Sequence, residues 1–319
     1  MPAHRRATLA GLTVGDGLPV AVLGALNVSP ESFYGGSVAR GEEDLVRAAL
    51  AMQEAGAALI DVGARSTAPY LPTAISEREE EARLARAVEV LAAKLAVPIS
   101  ADTARPGPAR AALDAGARVL NDVTGLRDPR VAALVADRCA GLILAATPER
   151  DGLGGPSETR SFWGLTRAGA ETESAAQGSQ RGRGGPPGPV HDPIAVVGEL
   201  LREALERARQ AGIAEERIVV DPGIGFFREE AMPWDEWDVG VLRGLPRLAS
   251  LGRPLCVGVS RKSFLGAITG RPPEGRLAAS LAATTVAVLG GAALIRTHDA
   301  AESLDAVRVT ERLRGASSS

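Results

Sequence analysis

Eight short apolar runs, each followed by an Ala/Glu/Arg-rich stretch of helical spacing, set the strongest limit on what this chain can become. The runs lie near residues 20–26, 57–62, 97–101, 117–121, 141–145, 217–221, 254–259 and 292–296. Helical stretches fall near 42–55, 76–95, 106–115, 128–138, 192–211, 235–250, 274–289 and 300–314. Continuous apolar runs of this length fit strands buried on both faces, as in a parallel sheet covered by helices. Proline and glycine punctuate the joins, just before several helices and just after strands. Eight such units in 319 residues predict an α/β protein, a (β/α)8 barrel, as a single domain over 1–319. A doubly wound open sheet is the other candidate, but the glycine fingerprint after its first strand is absent.

One interval breaks the rhythm. Residues 148–190 are rich in Gly, Pro, Ser and Arg and show no apolar period. Such a segment after the fifth strand predicts a flexible insertion emerging from the barrel's C-terminal face. Its single "RGRGG" is too little for a nucleic-acid tail, and "GLGG" is no phosphate loop without a following Gly-Lys-Ser/Thr. A net charge of −3 leaves no electrostatic footprint for nucleic acid. Hydrophobic residues make up 45% of the chain, enough for a real core. Cys139 and Cys256 both lie in apolar segments, as small core residues of a reduced protein do. The N-terminus has no apolar signal-peptide core, and no segment reaches the roughly 20 apolar residues of a membrane helix. The expectation is a soluble, cytoplasmic protein with no nucleic-acid or membrane partner.

Barrels of this class carry their chemistry where the strands end. Those positions hold Asn27; Asp61 with Ser66 and Thr67; Asp102; Asn121 and Asp122; Asp221; Ser260 and Lys262; Arg296 and His298. The chain has only two asparagines, Asn27 and Asn121, and only two lysines, Lys94 and Lys262, among its 36 basic residues. Both asparagines and one lysine therefore gather at one mouth, where Arg cannot stand in for a point charge. Phe226, Phe227 and Phe264 also follow strand ends, in a chain with 3% aromatics, and Tyr34 and Tyr70 fall in the first two loops. Asp102 and Asp221 end apolar strands, and a buried carboxylate needs a partner. Asp61 and Asp122 read equally well as turn or helix-cap residues.

A mouth of carboxylates, a carboxamide, one ammonium, one guanidinium and phenyl rings suits a flat heterocycle with a guanidine-like edge. That edge pairs bidentately with a carboxylate. The carbonyl and ring nitrogen accept from Lys262, and the face stacks on Arg296 or a phenylalanine. Pterins and purines both meet this description.

At these same residues the chain resembles the dihydropteroate synthase family. "LGALNVSPESF", "GAALIDVGARST", "VPISADT", "NDVTG", "IVVDPGIGF", "VGVSRKSFLG" and "LIRTHD" follow in that family's order and spacing. The resemblance implies a (β/α)8 barrel, a homodimer through late helices, and Mg2+ carried by a diphosphate. It implies transfer of 6-hydroxymethyl-7,8-dihydropterin from its diphosphate to p-aminobenzoate, in folate biosynthesis. By that likeness Asp102, Asn121, Asp221, Lys262 and Arg296 bind the pterin, and Asn27 is the metal ligand. Ser66, Thr67, Pro69, Phe226, Ser260, Arg296 and His298 surround the aminobenzoate or the diphosphate. Asp102, Lys262, Arg296 and His298 are the residues expected to act in catalysis.

The chain also departs from the family's pattern. Ala68 stands where a diphosphate-binding arginine is expected, Tyr70 for a glycine, and Arg65 for the glutamate before Ser-Thr. Ala145, Ala146 and Thr147 replace a Met-His-Met stretch, and Phe227-Arg228 a Gly-Lys pair. These changes leave room for a related synthase using a ribosylated aminobenzene phosphate, or for a pterin-binding barrel without catalysis. A corrinoid-dependent methyltransferase shares the barrel but has no need of Asn27 and Lys262 around a diphosphate.

Overall fold

The computed structural model describes residues 5–28, 41–65, 75–138, 140–148, 192–228 and 232–315. Two short strands, β1 (Arg6–Leu9) and β2 (Leu12–Gly15), come first. Then follow β3 (Ala21–Asn27), β4 (Leu59–Gly63), β5 (Ile99–Asp102), β6 (Val119–Asp122), β7 (Gly141–Ala145), β8 (Ile218–Asp221), β9 (Leu255–Gly258) and β10 (Ala292–Thr297). β3 to β10 form a closed barrel, with β10 hydrogen-bonded to β3. Every adjacent pair in it is parallel. The expected (β/α)8 architecture is present, and all eight expected strands fall within two residues of their anticipated ends.

The described helices are α1 (Glu42–Glu54), α2 (Glu77–Ala92), α3 (Pro106–Ala115), α4 (Pro129–Asp137), α5 (Pro193–Gln210), α6 (Trp234–Gly244), α7 (Ser263–Thr269), α8 (Leu277–Leu289) and α9 (Ala300–Arg314). Local chemistry sets their ends. Ser76 caps α2 by accepting from the Glu79 N–H, and Asp128 caps α4 by accepting from the Arg130 N–H. Proline occupies the first turn of α3, α4 and α5, where its missing N–H costs nothing. The helix expected over 235–250 divides: Pro246 cannot continue α6, and Leu245–Leu251 tighten into a 3-10 turn. The helix expected from 274 starts at Leu277, after a 3-10 turn over Pro273–Gly275. The insertion at 148–190 lies, apart from Pro148, outside the described residues.

Alternation along the strands separates two apolar layers. Ile60, Val62, Ile99, Ala101, Leu120, Leu142, Val220 and Val257 pack outward against the helices. Leu23, Leu59, Val119, Ile143, Val219, Cys256 and Leu294 form a second, inner cluster. Cys139 lies outside the described residues. β10 keeps this phase through a register shift between Ala292 and Leu294. Two residues beyond the inner cluster, on the same face of each strand, come Asp61, Asn121, Asp221 and Arg296. The lower barrel is therefore apolar and the upper barrel charged.

The antiparallel hairpin β1–β2 closes the lower end, a feature not anticipated from sequence. Ala10 (φ 51°) and Gly11 (φ 91°) make the tight turn, a geometry that suits hairpin twist. Ala7, Leu9 and Val14 belong to the inner cluster. A methyl group on Gly141 would lie 2.9 Å from Leu9 Cδ2, so the hairpin rests directly on the end of β7. Leu9 is fully buried, and its truncation leaves a cavity that neither rigid layer can fill. Leu9→Ala should cost about 2–5 kcal/mol in denaturant unfolding, and a loss under about 1 kcal/mol would show that the hairpin is not part of the cooperative core.

Candidate active site

Arg296 is the centre of the upper barrel. From β10 its Nε donates to Asp61 Oδ2 on β4 at 2.7 Å, and its Nη2 to Asp102 Oδ2 on β5 at 2.9 Å. Asn121, on β6, donates its Nδ2 to the same Asp61 oxygen at 3.0 Å. Four strand ends are thereby linked through one guanidinium. Burial works against the Arg296 charge, yet Asp61 and Asp102 hold its pKa above the usual arginine value. Asp102 is driven the other way: burial, with Asp61 adding to it and Arg296 opposing it, pushes its carboxyl up to about 7. Asp61 Oδ1, Asp102 Oδ1 and Ser100 Oγ are buried with no hydrogen-bond partner among the described residues. Orphaned acceptors at the base of a strand-end site mark places for ligand donors.

Asp221 closes β8. Its Oδ1 accepts from the Gly223 N–H at 2.8 Å, the Cys256 thiol lies beside it, and burial raises its pKa. Gly223 (φ +70°) turns the chain where a side chain would meet the Ala146 carbonyl at 1.9 Å. Lys262 Nζ stands 5.3 Å from the centre of the Phe226 ring, within cation–π range. Burial lowers the Lys262 pKa and Arg296 adds to that, while Asp221 and Asp238 oppose it. Ser260 Oγ accepts from the His298 N–H at 3.2 Å and lies 3.1 Å from His298 Nδ1. Burial and the nearby Arg296, Lys262 and Arg261 charges push the His298 pKa down to about 3. Asn27 ends β3, in register with Gly63 on β4.

The structure thus brings Asp102, Asn121, Asp221, Lys262, Arg296, Ser260, His298, Phe226 and Asn27 to one end of the barrel. Ser66, Thr67, Ala68, Pro69, Tyr34 and Tyr70 lie outside the described residues. Asp122 proves to be a turn residue: its Oδ1 accepts from Thr124 N–H, Thr124 Oγ1 and Leu126 N–H. Phe227 and Phe264 are core residues, with Phe227 stacked on Trp237 at 5.0 Å. Asp61 has the larger part. It touches both Arg296 and Asn121, and its position two residues after Leu59 on the inner face is the signal that identifies it.

Supporting residues escaped the sequence reading altogether. Arg261, between Ser260 and Lys262, adopts φ +56° and turns away from the mouth into a buried network. It pairs with Asp299 through two bonds of 2.9 and 2.6 Å and donates to the Pro273 and Glu274 carbonyls. The neighbours on its two sides are thereby fixed together. Glu80, buried on α2, accepts from Thr103 Oγ1 at 2.6 Å and Arg105 Nη1 at 2.9 Å. Arg65 Nε lies 3.7 Å from the same carboxylate.

Carboxylates, a carboxamide, an ammonium and a guanidinium thus meet at the strand ends, the face at which (β/α)8 barrels place their active sites. Residues 23–298 match the family described as "Pterin binding enzyme", and the chain belongs to that family. The dihydropteroate synthase of Mycobacterium leprae (strain TN) is 35% identical over 298 residues, covering 91% of this chain and 92% of that protein. The dihydropteroate synthase of Escherichia coli (strain K12) is 33% identical, covering 91% of this chain and 90% of that one. Among solved structures, the Xanthomonas albilineans dihydropteroate synthase with 4-aminobenzoic acid superposes with a TM-score of 0.76 at 33% identity. That comparison covers 98% of this chain and 99% of the other.

The His298 environment has a measurable consequence. Protonation is deferred from about 6.5 to about 3, so its contribution to stability is complete above the unfolded value. That contribution is lost as pH falls from 6.5 toward 3. The His298 ring resonances should show no titration between pH 8 and 5 in NMR spectra; a midpoint near 6.5 would contradict the site's electrostatics.

Proposed function

We propose that this protein is a dihydropteroate synthase, a transferase of folate biosynthesis. It joins 6-hydroxymethyl-7,8-dihydropterin diphosphate to p-aminobenzoate and releases diphosphate. The observation that carries the reading is the convergence of Asp221, Asn121, Asp102 and Lys262 around Arg296 in a barrel of this family. Relatives point the same way: a Xanthomonas albilineans dihydropteroate synthase has been solved in complex with 7,8-dihydropteroate.

In this reading Asp221 grips the amino-pyrimidine edge with two charge-assisted hydrogen bonds. Asn121 and the unpartnered Asp102 oxygen serve the remaining ring nitrogens. Lys262 donates to the pterin carbonyl and N5, and the Arg296 guanidinium, held flat by its two carboxylates, covers the ring. The bond from the pterin methylene to the diphosphate oxygen breaks, and its electron pair leaves with the diphosphate. Positive charge developing on the methylene spreads into the ring near Asp102. The amine nitrogen's lone pair then forms the new C–N bond, and the amine loses a proton to solvent. Preformed charge, rather than a dedicated base, supplies most of the rate.

No cluster of three or more His, Cys, Asp or Glu suited to a metal occurs among the described residues. Asn27, whose amide oxygen suits a hard cation, would hold Mg2+ beside the diphosphate, where the ion supplies charge neutralisation of the leaving group. His298 and Ser260 flank the diphosphate, and Phe226 with Ser66, Thr67 and Pro69 the aminobenzoate. A homodimer accords with the exposed Ile268, Val286, Leu289, Val309 and Leu313 on α7, α8 and α9. No described helix is long and apolar enough to cross a membrane, and the cytoplasm is the compartment proposed.

The aryl amine is the finer question, because Ala68 removes an expected cation. Arg65 remains nearby, but Glu80 already faces it. Diphosphate release measured with p-aminobenzoate and with a ribosylated aminobenzene phosphate decides this. p-Aminobenzoate should give the higher kcat/KM, and a tenfold preference for the ribosylated amine would overturn the assignment of the second substrate.

Two variants test the pterin half. Asp221→Asn should fold normally and lose about 2–5 kcal/mol of pterin binding, more than tenfold in affinity; unchanged calorimetry would refute its role. Lys262→Arg should be almost as inactive as Lys262→Ala, since a planar fork does not replace a compact ammonium. Near-normal turnover of the arginine variant would remove Lys262 from the site.

A further inference from the structure

Behind the loop that follows β8 lies a carboxylate that the pterin site does not use. Asp238, on α6, is fully buried. Its Oδ1 accepts from the Gly225 N–H at 2.8 Å, and its Oδ2 has no hydrogen-bond partner among the described residues. α6 presents Trp237, Val241 and Leu242 to the core, and Asp238 interrupts that apolar stripe with a charge. Burying a carboxylate half-satisfied is costly unless a cation faces it.

The nearby ammonium is Lys262. Gly225 (φ +89°) stands between the two: a methyl group on Gly225 would lie 3.3 Å from Lys262 Cδ and 3.4 Å from its Nζ. The hydrogen bond that Asp238 accepts from Gly225 therefore fixes the turn against which the lysine stem rests. Four charged groups bear on Lys262: Asp221 at the end of β8, Asp238 on α6, Arg228 in the intervening loop and Arg296 on β10. Of the two anions, Asp221 is the one that a pterin's amino edge engages. Asp238, bonded to the Gly225 turn on which the Lys262 stem rests, is the other anion that acts on the lysine. Burial pushes Asp238 up to about 6, while the Gly225 hydrogen bond and then the Lys262 and Arg228 charges oppose the shift.

We infer that Asp238 is a positioning residue: its carboxylate holds the Gly225 turn against the Lys262 stem and lends the lysine a second negative charge from α6. The inference rests on the pterin-site reading for its consequence in catalysis, but its electrostatic half can be measured without substrate. A purely structural acceptor would be replaced without loss by an amide.

The two-lysine composition makes the test direct. In full-length protein labelled with 13C-lysine, Lys262 is assigned by the loss of the other signal in Lys94→Arg, and titrated by NMR. Asp238→Asn keeps an oxygen for the Gly225 N–H and removes the charge. The Lys262 midpoint should fall by about one pH unit in this variant, the size expected from losing one nearby opposite charge. In diphosphate-release assays from pH 6 to 10, the alkaline limb of kcat/KM for the pterin diphosphate should move down with it. The pterin KM at pH 8 should rise about threefold or more while kcat changes less. Asp238→Ala, where it folds, should show a larger KM effect because the turn is released as well. An unchanged Lys262 midpoint in Asp238→Asn would overturn the inference whatever the enzyme does. Absence of diphosphate release by the wild type would instead count against the proposed function.

Discussion

The Arg296 guanidinium, bridging Asp61 and Asp102 across the barrel, is the interaction on which the rest of the site depends. One cation is shared between two buried carboxylates, and burial still drives Asp102 upward against the pull of Arg296. Buried pairs of this kind add little stability against an apolar alternative, so their value lies in fixing geometry. The planar fork is held at both edges, and in the proposed function it sets where the pterin ring lies. Asn121, tied to Asp61, and Asp221, at the next inner position of β8, then define its rim.

A second tier of charges holds the first. Arg261 and Asp299 join the ends of β9 and β10, next to the bond that ties His298 to Ser260 across the same two strands. Glu80 does the same beneath β4 and β5, gathering Thr103, Arg105 and Arg65. Asp238 anchors the loop after β8. Preorganisation of this depth suits a reaction whose difficulty is charge development on a departing diphosphate. The lower barrel contributes rigidity: an apolar plug of strand residues, closed by the β1–β2 hairpin, leaves the polar end no room to relax.

The strands and the long helices were legible because each carries a strong period and a clear stop. Pro106, Pro129 and Pro193 begin helices, and Asp102, Asn121 and Asp221 end apolar runs. The hairpin was not legible, since each strand has only four residues and alternates too briefly to register. α7 is seven residues long and holds Gly266 at its middle, which hides it from any helical count. Site residues at strand ends were visible for the same reason as the strands. Asp61 was ambiguous because a strand-terminal aspartate also caps turns, as Asp122 does; strand phase separates the two, since Asp61 follows the inner Leu59 and Asp122 the outer Leu120. Arg261, Glu80 and Asp238 act through partners distant in sequence, so nothing adjacent to them reveals the pairing. The stripe-breaking charge on α6 was the one local sign for Asp238.

A structure of the protein with bound 7,8-dihydropteroate tests the central claim most directly. The account predicts the amino-pyrimidine edge paired with Asp221, the ring edge reaching Asn121 and Asp102, Lys262 on the pterin carbonyl, and Arg296 over the ring with its bonds to Asp61 and Asp102 intact. A pterin bound away from the strand ends, with Asp221 untouched and Arg296 uninvolved, would contradict it.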